Sequence, residues 1–369
     1  MKATLSAIAA MLVLLACQVG GAQQPGYDPS GGYFGTAEPG ALLVRGQQAG
    51  APCPDGRCDP CAACCPYRWQ VFGDFLYLRA RSNEITYGMG TESLVDPLPL
   101  GRLGVVDADY EPAFRFGVFR ALDENSSIGV TYTHFESESL DELHVVDPQQ
   151  IYPLVLHPSV LGTAPLWRDA FARQDLDFQL IDVDYRYAFS SDARHDLALV
   201  VGARYANLKQ AASIAFYSPT GDSIGDEYLF THLNFDGAGV RLGLEGERRA
   251  ANSGFLVYGK TAASFVAGEF RADFIQARGT DAGAIPVVDT SWKAGRLVTM
   301  LDLELGGGWT SANGRLRLTG GYVISGWLNT VKNADWIRAV QTNDFRSLDN
   351  STDHVLNFDG IVLRSELRF

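Results

Sequence analysis

A two-residue alternation starts near Trp69 and runs to the last residue, Phe369. It constrains this chain more than any other feature. In IDVDYRYAF, Ile181, Val183, Tyr185, Tyr187 and Phe189 share one side, while Asp182, Asp184 and Arg186 share the other. On a pleated strand, neighbours in sequence point to opposite faces. Leu301, Leu303 and Leu305 oppose Asp302 and Glu304 in the same way, and Leu316 and Leu318 oppose Arg315 and Arg317. A charge at every second position does not fit the dry core of a sandwich, where an unpaired ion is very costly. It does fit a strand with one face on lipid and the other on a wet or ion-paired lumen.

Ten stretches read this way: 69–80, 113–121, 127–136, 178–189, 196–208, 234–247, 254–268, 296–310, 314–327 and 354–369. Their connections alternate in length. Those at 122–126, 190–195, 248–253 and 311–313 are short; those at 81–112, 137–177, 209–233, 269–295 and 328–353 are long. Short turns on one rim and long loops on the other mark an outer-membrane barrel. The predicted fold is therefore all-β: a single-chain antiparallel transmembrane barrel of about ten strands. It becomes twelve if 82–95 or 209–218 holds further strand. An even count puts both chain ends on the short-turn, periplasmic side. Tyr132, Tyr187, Tyr205, Trp309 and Tyr322 fall near strand ends, where interfacial aromatics belong. The first strand is ambiguous, because Phe72, Leu76 and Leu78 compete with Val71, Phe75 and Tyr77 for the lipid side.

The chain opens with an export signal. Lys2 precedes an apolar run, Leu5 to Ala16, and Gly20-Gly21-Ala22 offers a cleavage site. Cleavage after Ala22 is the preferred reading; lipidation of Cys17 is the alternative. Residues 1–22 are thus the signal peptide, 23–66 a disordered Cys/Gly/Pro-rich linker and 67–369 the barrel. The linker contains CPDGRCDPCAACC, with Cys53, Cys58, Cys61, Cys64 and Cys65. In an oxidising compartment these are candidates for disulfides, and their odd number lets one bridge to another chain. A thiolate metal site lacks a second distant pair and a nearby His.

No catalytic pattern emerges. The Ser in GYVISG (321–326) has the wrong spacing for a nucleophile elbow, and no HExxH, phosphate loop or dinucleotide fingerprint occurs. Asp353-His354 is a weak catalytic candidate at the start of the last strand. The six histidines (134, 144, 157, 195, 232 and 354) show no ligand spacing. Asp107/Asp109 and Asp182/Asp184 lack the dense oxygen spacing of a calcium loop. The expectation is no enzyme, no cofactor and no resident metal. A formal charge of −13 argues against nucleic acid.

The functional candidates are the inward charges: Arg115, Asp182, Asp184, Arg186, Arg204, Arg241, Glu245, Lys260, Asp302, Glu304, Arg315, Arg317, Arg364, Glu366 and Arg368. They either neutralise one another or form an ion-selecting constriction; mutual neutralisation is favoured for most. Segments 81–112 and 137–177 are both acidic and would attract cations at the outer rim. Barrels of ten to twelve strands leave at most a narrow pore.

The ending, GIVLRSELRF (360–369), reads as the closing strand, paired with the one that begins at Trp69. Ile361, Leu363, Leu367 and Phe369 would face lipid, and Arg364, Glu366 and Arg368 the lumen. Leu367 and Phe369 are read as the assembly signal, since a terminal Phe is similar to the one recognised by the barrel-assembly machinery.

Several stretches carry a family resemblance: FGDFLYLRARS (72–82), FRFGVFRALDENSSIGVTYTHF (114–135), IDVDYRYAF (181–189), VGARYANL (201–208), FDGAGVRLGLEG (235–246) and LVYGKTAASFVAG (256–268). Together they resemble the Legionella-type pore-forming outer-membrane proteins, a β-barrel family with many planctomycete members. The resemblance implies an outer-membrane barrel of a Gram-negative-type bacterium, inserted by the assembly machinery and acting as a channel. It supplies no catalytic residues. The expected function is a narrow pore for ions or small solutes. The alternative is a non-conducting structural or adhesive envelope barrel. Expected partners are membrane lipid, lipopolysaccharide and the assembly machinery, with homo-oligomers left open.

Overall fold

The computed structural model describes residues 68–93, 97–161, 167–192, 194–219, 225–250, 253–280, 283–348 and 355–369. The signal segment, Cys17, the five linker cysteines and Asp353-His354 lie outside the described residues. Thirteen strands follow in order: β1 (Trp69–Arg81), β2 (Ile85–Thr91), β3 (Leu100–Val106), β4 (Tyr110–Ala121), β5 (Ser126–His144), β6 (Gln150–Pro153), β7 (Asp169–Ser191), β8 (His195–Tyr217), β9 (Glu227–Arg249), β10 (Phe255–Thr280), β11 (Gly283–Thr310), β12 (Leu316–Leu328) and β13 (Val355–Arg368). A helix, α1 (Asn333–Thr342), lies between β12 and β13. Among the described residues no helix is long and apolar enough to cross a membrane.

Ten of the strands form one antiparallel ring, in the order β1, β4, β5, β7, β8, β9, β10, β11, β12, β13 and back to β1. The last strand does close on the first, from Gln70 opposite Arg368 to Arg81 opposite Asn357. At the rim, Trp69 and Phe369 exchange backbone N–H···O bonds of 2.9 and 3.0 Å. A ring leaves no edge whose backbone groups would face lipid unsatisfied.

The middle strands are far longer than their alternation predicts. β10 has 26 residues and β11 has 28, whereas about 9–11 tilted residues cross a membrane. Residues 169–177, 209–217, 227–233, 269–280 and 283–295, read as parts of long loops, are strand. The side-chain parity continues, but the polarity of the two faces swaps. Low on β10, Val257 and Phe265 are exposed outward, while Lys260 and Ser264 point inward. Higher up, Glu269, half-buried, and the exposed Arg271 and Asp273 point outward, while Phe270 and Phe274 are buried inside. The lower ring is apolar outside and polar inside, as a lipid-facing barrel must be. The upper ring is polar outside and apolar inside, as in a water-soluble barrel.

Neither suggested source of two extra ring strands supplies them. Residues 209–217 prolong β8, and 85–91 form β2, which pairs with β3 and β6 in a separate three-stranded sheet. Ile85, Tyr87 and Ile151 of that sheet are at most 1% exposed and belong to the upper core with Phe216, Phe235 and Phe274. α1 adds buried Trp336, Ile337 and Val340 to the same core. Trp336 Nε1 donates to Asp273 O at 3.2 Å, and Gln341 Nε2 donates to the carbonyls of Leu154 and Leu156 at 2.9 and 3.0 Å. Asn343, at φ 52°, ends the helix in the left-handed region that Asn tolerates.

The luminal charge network and its aromatic seal

The inward charges of the lower ring meet in pairs. Asp74 on β1, with no exposed side-chain surface, accepts hydrogen bonds from Arg115 Nε at 2.6 Å and from Arg364 Nε and Nη2 at 2.6 and 2.7 Å. Arg115 also reaches Glu304 at 2.6 Å, and Lys260 Nζ lies 3.4 Å from the same carboxylate. Arg204 donates twice to Asp182, at 2.7 and 2.9 Å, and once to Asp302, at 2.8 Å. Arg241 binds Asp184 at 2.8 Å, and Arg186 binds Glu245 at 2.9 Å. Arg317 pairs with Glu247 at 2.5 Å, and Arg368 with Glu366 at 2.6 Å.

Arg249 binds Glu247 as well, at 2.8 Å, and holds Asp196, so nine acids face nine bases. The balance has a physical reason. Each ion is partly or wholly removed from water, and an unpaired one would be strongly destabilising. Fourteen of the fifteen inward charges named from the sequence belong to this network. Arg315 does not: it sits ahead of β12 and is exposed at the short-turn rim. Of the calcium candidates, Asp182 and Asp184 hold arginines, Asp107 pairs with Arg79 at 2.6 Å and Asp109 is exposed. Among the described residues no three His, Cys, Asp or Glu side chains are grouped to hold a metal ion.

Four network members were missed in the sequence: Asp74, Asp196, Glu247 and Arg249. Asp74 was legible. It lies in phase with Phe72, Leu76 and Leu78, and these are the buried, inward residues of β1, at 5%, 2% and 4% exposure. Val71, Phe75 and Tyr77 face outward. The lone carboxylate marks which apolar face of that strand is the lumen.

Above the charges lies an aromatic layer of Phe135, Phe178, Trp327 and Phe358, each at most 4% exposed. Phe178 and Phe358 meet edge-on with ring centroids 4.8 Å apart. The centroids of Phe178 and Trp327 are 5.4 Å apart. β7 and β12, which carry these two, stand five places apart in the ring of ten and so face each other. Their rings therefore meet across the lumen. Trp327 Nε1 donates to Ser325 Oγ at 3.1 Å, and Ser325 donates to Asp302 at 2.6 Å, which ties this layer to the ions below. A cavity of about 120 Å³ remains, lined by Arg115, Thr131, Asp182, Ser325, Arg364 and Phe178 among others. That is well below the several hundred Å³ of an ordinary small-molecule site.

Residues 61–367 match the sequence family described as Legionella pneumophila major outer membrane protein precursor. No curated protein sequence matches the chain. Among solved structures, the outer membrane protease OmpT from Escherichia coli is similar at 13% identity and TM-score 0.44, covering 82% of this chain and 97% of that one. The toluene transporter TbuX of Ralstonia pickettii is similar at 9% identity and TM-score 0.36, covering 83% and 90%. Ail, the attachment invasion locus protein of Yersinia pestis, is similar at 10% identity and TM-score 0.22, covering 82% and 99%. With the family match extending over nearly the whole ring, this chain belongs to the Legionella major outer membrane protein family and is an outer-membrane β-barrel.

Proposed function

We propose that this protein is a structural envelope barrel, sealed at rest, that displays a folded body above the membrane. The observation that carries the reading is the contact of Phe178 with Trp327 across the ring. Magnitudes support it. Burying side chains the size of Trp336, Ile337 and Val340 is worth about 1.5–3 kcal/mol each, so lifting α1 from the barrel would cost on the order of 5–9 kcal/mol for these three alone. A gap of about 5 kcal/mol leaves roughly one molecule in 5,000 open. The paired ions below carry no net charge to draw in solutes of one sign. The reading includes no enzymatic step. It has the chain exported by residues 1–22 and inserted by the barrel-assembly machinery, with Leu367 and Phe369 as the terminal signal.

The second reading is a narrow ion channel, favoured by the charged lumen and its cavity of about 120 Å³. It requires the aromatic layer and α1 to part. Purified protein added to a planar bilayer separates the two. A silent bilayer, with folding verified by gel mobility of unheated against boiled samples, is expected from a sealed barrel. Discrete conductance steps from the wild-type chain would overturn that reading and establish the channel.

A further inference from the structure

The outer wall of the upper ring carries a depression of about 420 Å³. Adjacent strands build it. Register sets Lys209, Asn234 and Arg271 side by side, with Ala211, His232 and Asp273 in the next outward row. Ala211 explains the hollow, because it puts a single methyl among long neighbours. Beneath it the wall is locked: Asp236 accepts from Tyr205 Oη at 2.9 Å and from Asn207 Nδ2 at 2.6 Å.

Its height limits what can reach it. Tyr205 is the last exposed aromatic of the lipid-facing band on β8, and Phe265 on β10. Lys209 and Arg271 stand four and six residues further out. At about 3.3 Å per residue and a tilt near 40°, that is a rise of about 10 and 15 Å. A phospholipid headgroup layer is only about 5–8 Å thick. The depression therefore lies past phospholipid phosphates, at the level where the sugars of an outer-leaflet glycolipid stand.

Its chemistry selects within that layer. Among the described residues Lys209 and His232 have no ion pair within 4 Å. Arg271 shares Glu269 with Lys293, at 2.8 and 2.9 Å, so two cations divide one carboxylate. These neighbouring bases offer donors to a phosphate, joined by the second N–H of the Asn234 amide, whose nitrogen also donates to Asp236 at 3.3 Å. The carboxylates of Asp273 and, on β7, of Asp175 and Asp177 edge the same depression. Asp175 is held by Arg173 at 3.1 Å and Asp177 lies 3.5 Å from His134; as acceptors these carboxylates suit sugar hydroxyls and would repel a bare polyanion. We propose that this depression binds the phosphorylated sugar headgroup of an outer-leaflet glycolipid. The inference rests on outer-membrane placement and is independent of whether the lumen conducts.

The test uses the full-length barrel in detergent and a phosphorylated lipid A with its inner core sugars. The same glycolipid after enzymatic dephosphorylation, phosphatidylglycerol and inorganic phosphate serve as competitors. Saturable binding of the phosphorylated glycolipid is expected, at least tenfold weaker for Lys209→Gln combined with Arg271→Gln. Ala211→Phe fills the hollow without altering charge and is expected to weaken binding comparably. Arg120→Gln, at the opposite rim, is expected to bind as wild type. All variants are first shown to be folded by heat-modifiable mobility. Unchanged affinity in both depression variants would overturn the proposal. So would equal binding of the dephosphorylated glycolipid, or competition by phosphatidylglycerol or phosphate at the glycolipid's own concentration.

Discussion

Arg364 of the last ring strand holds Asp74 of the first through two N–H···O bonds of 2.6 and 2.7 Å, and Arg115 of β4 binds the same carboxylate from the other side. The closing seam is thus pinned by one buried acid between two arginines. On the outer face of the same seam, Arg81 of β1 reaches Asp359 of β13 at 2.5 Å, and Tyr322 of β12 donates to that carboxylate too. Asp74→Ala would leave Arg364 without its carboxylate, beside Arg115, which keeps Glu304. Breaking a buried pair in this way costs about 3–5 kcal/mol. The expected outcome is a lower urea midpoint and a smaller heat-modifiable fraction than for Asp359→Ala. Equal midpoints would show that closure does not depend on the inner pin.

Opening the seal is expected to create conductance that the wild type lacks. The variant combines Trp327→Ala with replacement of residues 333–342 by a Gly-Ser linker. Truncating a buried Trp costs about 3–5 kcal/mol, so folding must be verified before recording. A folded but silent variant would move the barrier to the ion layer below.

Phe369 is expected to matter for assembly more than its contacts suggest. Its side chain is 64% exposed, yet its backbone closes the ring against Trp69. Deleting Phe369 is expected to lower the folded amount in the outer membrane more than deleting a loop residue such as Glu92. Normal levels of the truncated chain would refute this.

The upper body is expected to weaken in alkali. Burial, and then the hydrogen bond of Tyr87 Oη to Asp141 Oδ2 at 2.8 Å, push the Tyr87 phenol well above its ordinary value. Because the folded value is the higher one, this contribution is complete below about pH 10 and is lost as the pH rises further. Stability between about pH 9 and 11.5 is expected to fall less steeply for Tyr87→Phe than for wild type. Parallel curves would exclude Tyr87 as the sensor.

The lower ring was legible because lipid outside and ions inside give the alternation its greatest contrast. Arg364, Glu366 and Arg368 fell on the predicted face for that reason. The upper ring was not read, although EFRADFI (269–275) alternates just as strictly. There the outward set is charged and the inward set aromatic, which is also how a solvated loop with a few anchors looks. α1 escaped notice because its ten residues lie within a connection that alternation alone cannot resolve. Of the network, most members were legible and the long-range pairing was hidden. Neighbouring positions disclose a face, but not that Arg115 on β4 reaches Glu304 on β11.

The swap of polarity partway up each long strand has a mechanical meaning. It acts as a waterline. Sinking the barrel by one rung would carry Glu269 and Arg271 toward hydrocarbon, where an outward arginine costs up to about 2–4 kcal/mol near mid-depth. Raising it would lift Val257 and Phe265 out of lipid. The strands themselves therefore set how deep the protein floats and how far its body stands proud of the cell.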